Sequence, residues 1–105
     1  MGMVLTAESV TAEQGCILGF VNEVVEVDNF EASIAQWVER ILRCSPVALA
    51  ASKESMMRGL DEQSLADAIT NQESYPAFAR WKTSKDAVEG PLAFAEKRAP
   101  NWRGR

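Results

Sequence analysis

The sequence contains no histidine among its 105 residues. This absence excludes Ser-His-Asp and Cys-His catalysis within the chain and removes the commonest ligand of transition metals. Glycine is also sparse and never clustered, which gives no basis for a phosphate-binding loop; the six glycines are Gly2, Gly15, Gly19, Gly59, Gly90 and Gly104. We therefore expect no metal site and no complete catalytic site in this chain.

Long apolar runs are absent as well. No stretch approaches the ~18 residues of a membrane span, and the N-terminus lacks the basic and apolar regions of a secretory signal. Cys16 and Cys44 stand alone, without C-x-x-C spacing, which suits a reducing compartment. Both have apolar neighbours, so we predict that they are buried small hydrophobes. These features predict a cytoplasmic protein with no membrane partner.

Basic residues are fewer than acidic residues in this chain. Lys and Arg total 11 against 15 Asp and Glu, and the formal charge of −4 argues against nucleic-acid binding, which needs a basic field. Four cations nevertheless lie within the last nine residues, beside Trp102: Lys97, Arg98, Arg103 and Arg105. Such a cluster is either a solvated basic tail or a local contact for a phosphate-bearing ligand. The sequence leaves both interpretations open.

Hydrophobic residues make up 47% of the chain, which is enough for a modest core. A capping-box pattern, Thr11 to Gln14, predicts a short helix that continues to about Leu18. Residues 20–25 are rich in β-branched side chains and predict a short extended segment. The clearest helix is predicted over about 29–44, because its apolar residues recur on one face: Phe30, Ile34, Trp37, Val38, Ile41 and Leu42.

Serines indicate where the later helices begin, since Ser is a preferred N-cap residue. The predicted starts are Ser45, before Pro46, Ser64 and Ser84. Prolines indicate interruptions. Pro76 should kink or interrupt a helix that extends from about 64 to 81, and Gly90-Pro91 should end a helix at 89 and begin a last one over 92–97. We expect an irregular tail over 99–105.

The fold class predicted from these patterns is all-α. It consists of five or six short amphipathic helices, with one extended segment near residues 20–25, in a single helical domain over 1–105. The numerous carboxylates are interpreted as caps and solvated faces, and Lys53 as a surface residue. Tyr75, Phe78 and Trp81 are spaced by three, which indicates either core packing or the wall of an apolar ligand pocket shared with another chain.

The order of these landmarks resembles the enoyl-CoA hydratase/isomerase (crotonase) family, and the resemblance covers essentially the whole chain. The run Leu18-Gly19-Phe20-Val21-Asn22-Glu23-Val24-Val25 is similar to the family's "LGLVNEVV". Further elements follow in the family's order: Trp37-Val38-Glu39-Arg40-Ile41, Ser45-Pro46, Ser52-Lys53-Glu54, Arg58-Gly59-Leu60-Asp61, the run 86–98 that ends in Glu96-Lys97-Arg98, and Asn101-Trp102.

The resemblance implies the C-terminal helical domain of such an enzyme. The family's N-terminal spiral core, which supplies the oxyanion donors and the hydratase glutamates, is absent from these 105 residues. In the family the helical domain assembles trimers, often paired into hexamers, so a homo-oligomer is expected. The complete enzyme would be a lyase or isomerase of fatty acid metabolism that stabilises a thioester enolate, and this chain alone would be inactive.

Two residues acquire roles through the resemblance. Phe78 matches an aromatic that lines the acyl pocket from a neighbouring subunit, and Lys97 matches a lysine near the nucleotide of coenzyme A. The sequence departs from the family pattern at Pro76, which could displace Phe78. The coenzyme A thioester is the substrate, and no other cofactor is implied. The alternative is a stand-alone helical interaction module that assembles with related subunits.

Overall fold

The computed structural model describes residues 2–105, and within that range all regular structure is helical. The α-helices are α1 (Gly2–Thr6), α2 (Ala12–Leu18), α3 (Phe30–Leu42), α4 (Pro46–Gly59), α5 (Leu65–Asn71), α6 (Pro76–Lys82) and α7 (Lys85–Ala95). Short 3-10 turns lie at Val27–Asn29 and Gln72–Ser74. The all-α prediction is confirmed. The predicted number of helices was too low because α1 has no cap signal and lasts only five residues.

The contacts divide the chain into two compact units, one that ends at Val38 and one over Glu39–Arg105. The prediction of one helical domain over 1–105 stays a prediction.

In the first unit, α2 begins at the predicted capping box. Thr11 N–H donates to Gln14 Oε1 at 2.8 Å, and Gln14 N–H donates to Thr11 Oγ1 at 3.2 Å. Gly19 ends the helix with a left-handed φ of 85°, which glycine adopts without steric cost. The sequence therefore predicted both ends of α2 correctly.

The segment after α2 lies outside any helix or strand, and the described residues give it no strand partner. It folds back on α2 instead, where the N–H groups of Phe20 and Val21 both donate to the Gly15 carbonyl at 3.2 Å. A Cβ at Gly15 would lie 2.8 Å from Val21 Cγ2, so only glycine permits this close approach without a shift. Residues 20–25 thus contain no helix or strand, and Phe20 and Val21 pack against Gly15 of α2.

Helix α3 forms as predicted, but its apolar face stays open. Phe30, Ile34, Val38 and Ile41 are 55%, 42%, 48% and 50% exposed, respectively. Trp37 is half-buried, and its Nε1–H donates to Glu23 Oε2 at 2.7 Å. The 3.6-residue period of the sequence correctly predicted the helix and its apolar face. The period carries no information about which other residues cover that face.

In the second unit, α4 packs chiefly against α6. The buried apolar residues are Val47, Ala51, Tyr75 and Ala93. Ser45 caps α4 by accepting from Ala48 N–H at 3.3 Å, and Ser64 and Ser84 cap α5 and α7 in the same way. Pro76 occupies the first turn of α6, so the predicted interruption within residues 64–81 is confirmed.

The predicted break at Gly90-Pro91 is wrong, because α7 continues through both residues. A side chain before proline normally disfavours helical backbone by clashing with the proline ring, and Gly90 has no Cβ to make that clash. The ring of Trp102 covers the space instead, 3.4 Å from where a Gly90 Cβ would stand. The two short helices expected over 85–89 and 92–97 are therefore one.

The prediction of buried cysteines is also wrong, because Cys16 and Cys44 are both exposed and free. Their apolar neighbours gave a misleading signal: Ile17 is 86% exposed and Leu42 is 73% exposed. Apolar neighbours predict burial only where other elements pack over them, and no element packs over Ile17 or Leu42 in the described structure. No helix within residues 2–105 is long and apolar enough to span a bilayer.

Candidate functional site

A groove of about 430 Å³ opens in the second unit beside α4 and α6. Its lining is small, apolar or neutral: Ala48, Ala51, Ser52, Ser55, Met56, Gln72, Phe78 and Trp81. Phe78 and Trp81 meet at one side, with ring centroids 5.3 Å apart and planes tilted by 60°. Of the two interpretations of the aromatic spacing, the structure thus places Phe78 and Trp81 at a groove and Tyr75 in the core.

Pro76 precedes Phe78 without displacing it from the groove. Proline fits the first turn of a helix because the N–H groups there have no intrahelical partner. Pro76 therefore begins α6, and Phe78 follows it on the first turn, half-buried in the groove wall. The α6 backbone therefore accommodates Pro76 without a break.

Tyr75 secures the start of α6. Its ring is 5% exposed, its hydroxyl donates to Glu62 Oε1 at 2.7 Å, and the Arg58 guanidinium lies 5.2 Å from the ring centroid. The hydrogen bond to Glu62, followed by burial, raises the pKa of Tyr75 above its ordinary value. Tyr75 therefore acts as a neutral hydrogen-bond donor that anchors the α6 N-terminus.

Glu54 supplies the second anchor. Its Oε2 accepts from Ala77 N–H of α6 at 2.6 Å, and its Oε1 pairs with Arg58 at 3.1 Å. The sequence gives Glu54 no role beyond its place in the family-like run Ser52-Lys53-Glu54. The partner lies 23 residues away, so no local capping pattern could reveal it.

Ser55 adds one polar atom at the groove. Its Oγ is buried and has no hydrogen-bond partner among the described residues. The residues that line the groove include no carboxylate, lysine or arginine. The groove can therefore hold an uncharged apolar group, and it offers no general acid or base.

Lys97 lies outside this groove, just after α7. Its backbone is left-handed, with φ 55°, and its N–H donates to the Phe94 carbonyl at 3.2 Å. The side chain is exposed and makes no ion pair within residues 2–105. The structure does not bring Phe78 and Lys97 to one groove of this chain.

Arg98, the next residue, is paired. Its Nη1 lies 2.6 Å from Glu89 Oε1, and its Nε lies 2.6 Å from Glu96 Oε2. These two hydrogen bonds raise the pKa of Arg98 further above its ordinary range. The hydrogen bond that Arg98 donates to Glu89, together with the one from Asn101 N–H at 2.6 Å, lowers the pKa of Glu89 to about 2. Two neighbouring cations of the predicted basic tail therefore differ in their contacts: Arg98 forms ion pairs with Glu89 and Glu96, and the Lys97 side chain is exposed to solvent.

The tail itself is irregular, as predicted, but it is docked on the second unit. Trp102 Nε1–H donates to the Arg43 carbonyl at 2.8 Å. Asp86 of α7, only 2% exposed, accepts from Arg103 N–H at 2.7 Å and from Gly104 N–H at 3.2 Å. The backbone of residues 99–105 is therefore docked, while the side chains of Arg103 and Arg105 stay exposed.

Asp86 remains ionised in this setting. Burial by itself raises the pKa of Asp86, but the hydrogen bonds from Ser45 Oγ and from the Arg103 and Gly104 N–H groups outweigh it and hold the pKa below its ordinary value. Sequence reasoning missed this residue too. No group of three metal-ligating side chains occurs within the part of the chain that the structure describes.

Comparison with known proteins decides the family. A model of the enoyl-CoA hydratase/isomerase family matches residues 1–105. The chain belongs to this family. Among curated relatives, it is 35% identical over 105 residues to the carnitinyl-CoA dehydratase of Proteus mirabilis (strain HI4320) and 36% identical over 108 residues to that of Escherichia coli (strain K12). Each alignment covers 98% of this chain and 40% of the relative, so the chain spans about 40% of the relatives' length.

Solved structures agree with this family. An enoyl-CoA hydratase/isomerase from Mycobacterium paratuberculosis superposes with a TM-score of 0.84 at 30% identity, over 94% of this chain and 38% of that protein. An enoyl-CoA hydratase from Mycobacterium tuberculosis H37Rv superposes with a TM-score of 0.81 at 31% identity, over 96% of this chain and 39% of that protein. The helical arrangement described above is therefore a known part of the crotonase fold.

Proposed function

We propose that this chain is the C-terminal oligomerisation and acyl-CoA pocket-lid domain of an enoyl-CoA hydratase/isomerase-like enzyme. The complete enzyme would act on acyl-CoA thioesters by stabilising the enolate oxyanion. The observation that carries the proposal is the coverage: a family model matches the whole chain, and the chain spans only 40% of the carnitinyl-CoA dehydratases it resembles. The remainder of such an enzyme would supply the oxyanion donors.

The groove supports the lid role. An acyl chain is an uncharged apolar group, and the groove beside Phe78 and Trp81 has mostly apolar walls without an ionised side chain. Burial of apolar surface there would contribute about 25 cal/mol for each Å² removed from water. In this proposal Phe78 contacts the acyl chain, across a subunit interface as in the family.

Lys97 supports the contact with the nucleotide part of coenzyme A. A phosphate ligand favours a cation that is not already paired, and Lys97 makes no ion pair within residues 2–105, in contrast to its neighbour Arg98. The proposal therefore assigns the phosphate contact to Lys97 and a structural role to Arg98.

The open face of α3 supports the assembly role. Its apolar residues Phe30, Ile34, Val38 and Ile41 remain 42% to 55% exposed, and exposed apolar patches rimmed by polar residues mark interaction sites in soluble proteins. We propose that this face is buried in a homo-oligomer, a trimer or hexamer by analogy with the family. Two free cysteines suit the cytoplasm, which we propose as the compartment.

A chimera tests the proposal. This chain would replace the matching segment of the enoyl-CoA hydratase of Mycobacterium tuberculosis H37Rv, and hydration of crotonyl-CoA would be followed. We expect an active chimera, whereas this chain alone and that hydratase without the segment should be inactive. Hydration by this chain alone, at the rate of a complete enzyme, would contradict the proposal. Binding to intact related subunits combined with an inactive chimera would favour the stand-alone interaction module.

A further inference from the structure

Helix α6 forms one wall of the Phe78 groove, yet it has no cap of its own. Its N-cap residue, Tyr75, makes no side-chain cap hydrogen bond, because the short side chains that cap helices are those of Ser, Thr, Asp and Asn; the Tyr75 hydroxyl donates to Glu62 instead. Pro76 has no N–H to offer. The first backbone donor of α6 that requires a partner is therefore Ala77 N–H, on the turn that carries Phe78.

Glu54 of α4 provides that partner from across the unit. The 2.6 Å hydrogen bond from Ala77 N–H to Glu54 Oε2 places a carboxylate at the positive end of α6, where the helix dipole favours it. The Glu54 side chain is 18% exposed, so the bond is largely shielded from competing water. Glu54 also directly precedes Ser55 and Met56, which line the opposite wall of the groove.

We propose that Glu54 is a positioning residue that sets the distance between the two walls of the groove and thereby selects the length of acyl chain that the groove accepts. The inference rests on the proposed function, because it takes the occupant of the groove to be the acyl chain of a coenzyme A thioester. Glu54 itself does not touch the acyl chain, since it is not part of the lining. It acts through Ala77 and the turn that holds Phe78.

The other anchor of α6 cannot set this distance. Tyr75 is fixed by Glu62 and Arg58, and neither of these residues lines the groove. The Glu54–Ala77 hydrogen bond joins the groove-lining stretch of α4 directly to the turn that carries Phe78. Loss of that bond leaves α6 anchored at Tyr75 and free to tilt at Phe78.

The test is NMR titration of the full chain with crotonyl-CoA and decanoyl-CoA. Trp81 is the only one of the three tryptophans that lines the groove, so its indole N–H reports occupancy. The indoles of Trp37 and Trp102 donate to Glu23 and to the Arg43 carbonyl and serve as internal controls. The Trp81→Phe variant assigns the resonance.

We expect both thioesters to shift the Trp81 resonance. Glu54→Gln keeps an acceptor for Ala77 N–H and should preserve the ratio of the two Kd values. Glu54→Ala should change that ratio by about tenfold, which corresponds to about 1.4 kcal/mol. Arg58→Ala, which removes the ion pair of Glu54 and keeps the bond to Ala77, should leave the ratio unchanged.

Three results would overturn the inference. If Glu54→Ala weakens both thioesters by the same factor, or leaves both unchanged, Glu54 does not select chain length, while the proposed function stands. If neither thioester shifts the Trp81 resonance of the unaltered chain, the acyl pocket assignment fails and the inference with it. If Glu54→Ala does not fold, Glu54→Asp replaces it, and an unchanged ratio for that shorter carboxylate contradicts the proposal.

Discussion

Ser45 Oγ donates a hydrogen bond of 2.7 Å to Asp86 Oδ2, across 41 residues of sequence. The same serine accepts from Ala48 N–H as the cap of α4, and the same aspartate accepts the backbone of the docked tail. This pair therefore joins the start of α4, the first turn of α7 and the C-terminal segment at one buried point. Its loss should affect all three.

We predict that Asp86→Ala lowers the thermal midpoint of unfolding by several degrees. The substitution leaves Ser45 Oγ and the Arg103 and Gly104 N–H groups without their acceptor, and unpaired buried donors are costly. Differential scanning calorimetry of the full chain measures the shift. Asp61→Ala, at an exposed acid in the same unit, is the control and should change little. A shift no larger than that of the control would contradict this account of the tail.

The free energy of unfolding should decrease at acid pH, because Glu89 becomes protonated and loses its hydrogen bonds as a carboxylate. Its pKa in the folded chain is about 2 against an ordinary value of 4.5, so its contribution is complete above pH 4.5 and is lost as the pH falls towards 2. Urea midpoints at stepwise pH measure this loss. Glu89→Gln should be less stable at neutral pH, and the gap should close near pH 2. A gap that stays constant across this range would show that Arg98 and Asn101 do not hold the carboxylate as described.

Pro91→Ala should stabilise the chain by about 1–2 kcal/mol. Proline inside a helix removes one hydrogen bond and clashes with the preceding turn, which costs ~3 kcal/mol, partly offset by the restricted unfolded chain. Chemical denaturation measures the free energy of unfolding. Pro100→Ala, at a proline outside any helix, should give no such gain. Destabilisation by Pro91→Ala would mean that the α7 backbone at this point requires the ring.

Lys97→Ala should raise the KM for crotonyl-CoA about three- to fivefold in the active chimera at low salt, with kcat unchanged. An exposed cation beside phosphates is a modest, screened interaction, so the effect should vanish at high salt. Steady-state kinetics at two ionic strengths measure it. Lys53→Ala, at an exposed lysine of α4, is the matched control. An unchanged KM at low salt would remove Lys97 from the proposed site.

Ile34→Glu should dissociate the expected oligomer. A charge on the open face of α3 forfeits about 2 kcal/mol of apolar burial, or about thirtyfold in association for each interface. Light scattering across a range of concentrations gives the mass. Gln36→Glu, at an exposed polar position of the same helix, should leave the mass unchanged. If the unaltered chain is a monomer at high concentration, the assembly role fails before the variant is needed.

The ends of the helices were the most predictable features. Thr11 with Gln14, Ser45 and Ser84 cap the helices they were predicted to cap, and a helix begins after Ser64 as predicted, because a cap joins residues only three apart. The position of Phe78 at an apolar groove was one of two interpretations of a repeating aromatic. The exposure of Cys16 and Cys44 could not be predicted, since it depends on which helix faces are covered.

The amino-acid sequence determined the helical class, the starts of the helices and the break at Pro76, because these depend on backbone sterics and hydrogen bonds within one turn. Tertiary structure decided the continuation of α7 through Pro91, the burial of Asp86 and the capping of α6 by Glu54. Each of these depends on a partner brought close only by folding: Trp102 covering Gly90, Ser45 reaching Asp86, and Ala77 lying 23 residues from Glu54. Local patterns carry no signal for such pairs, because their energies arise from burial and distance in three dimensions.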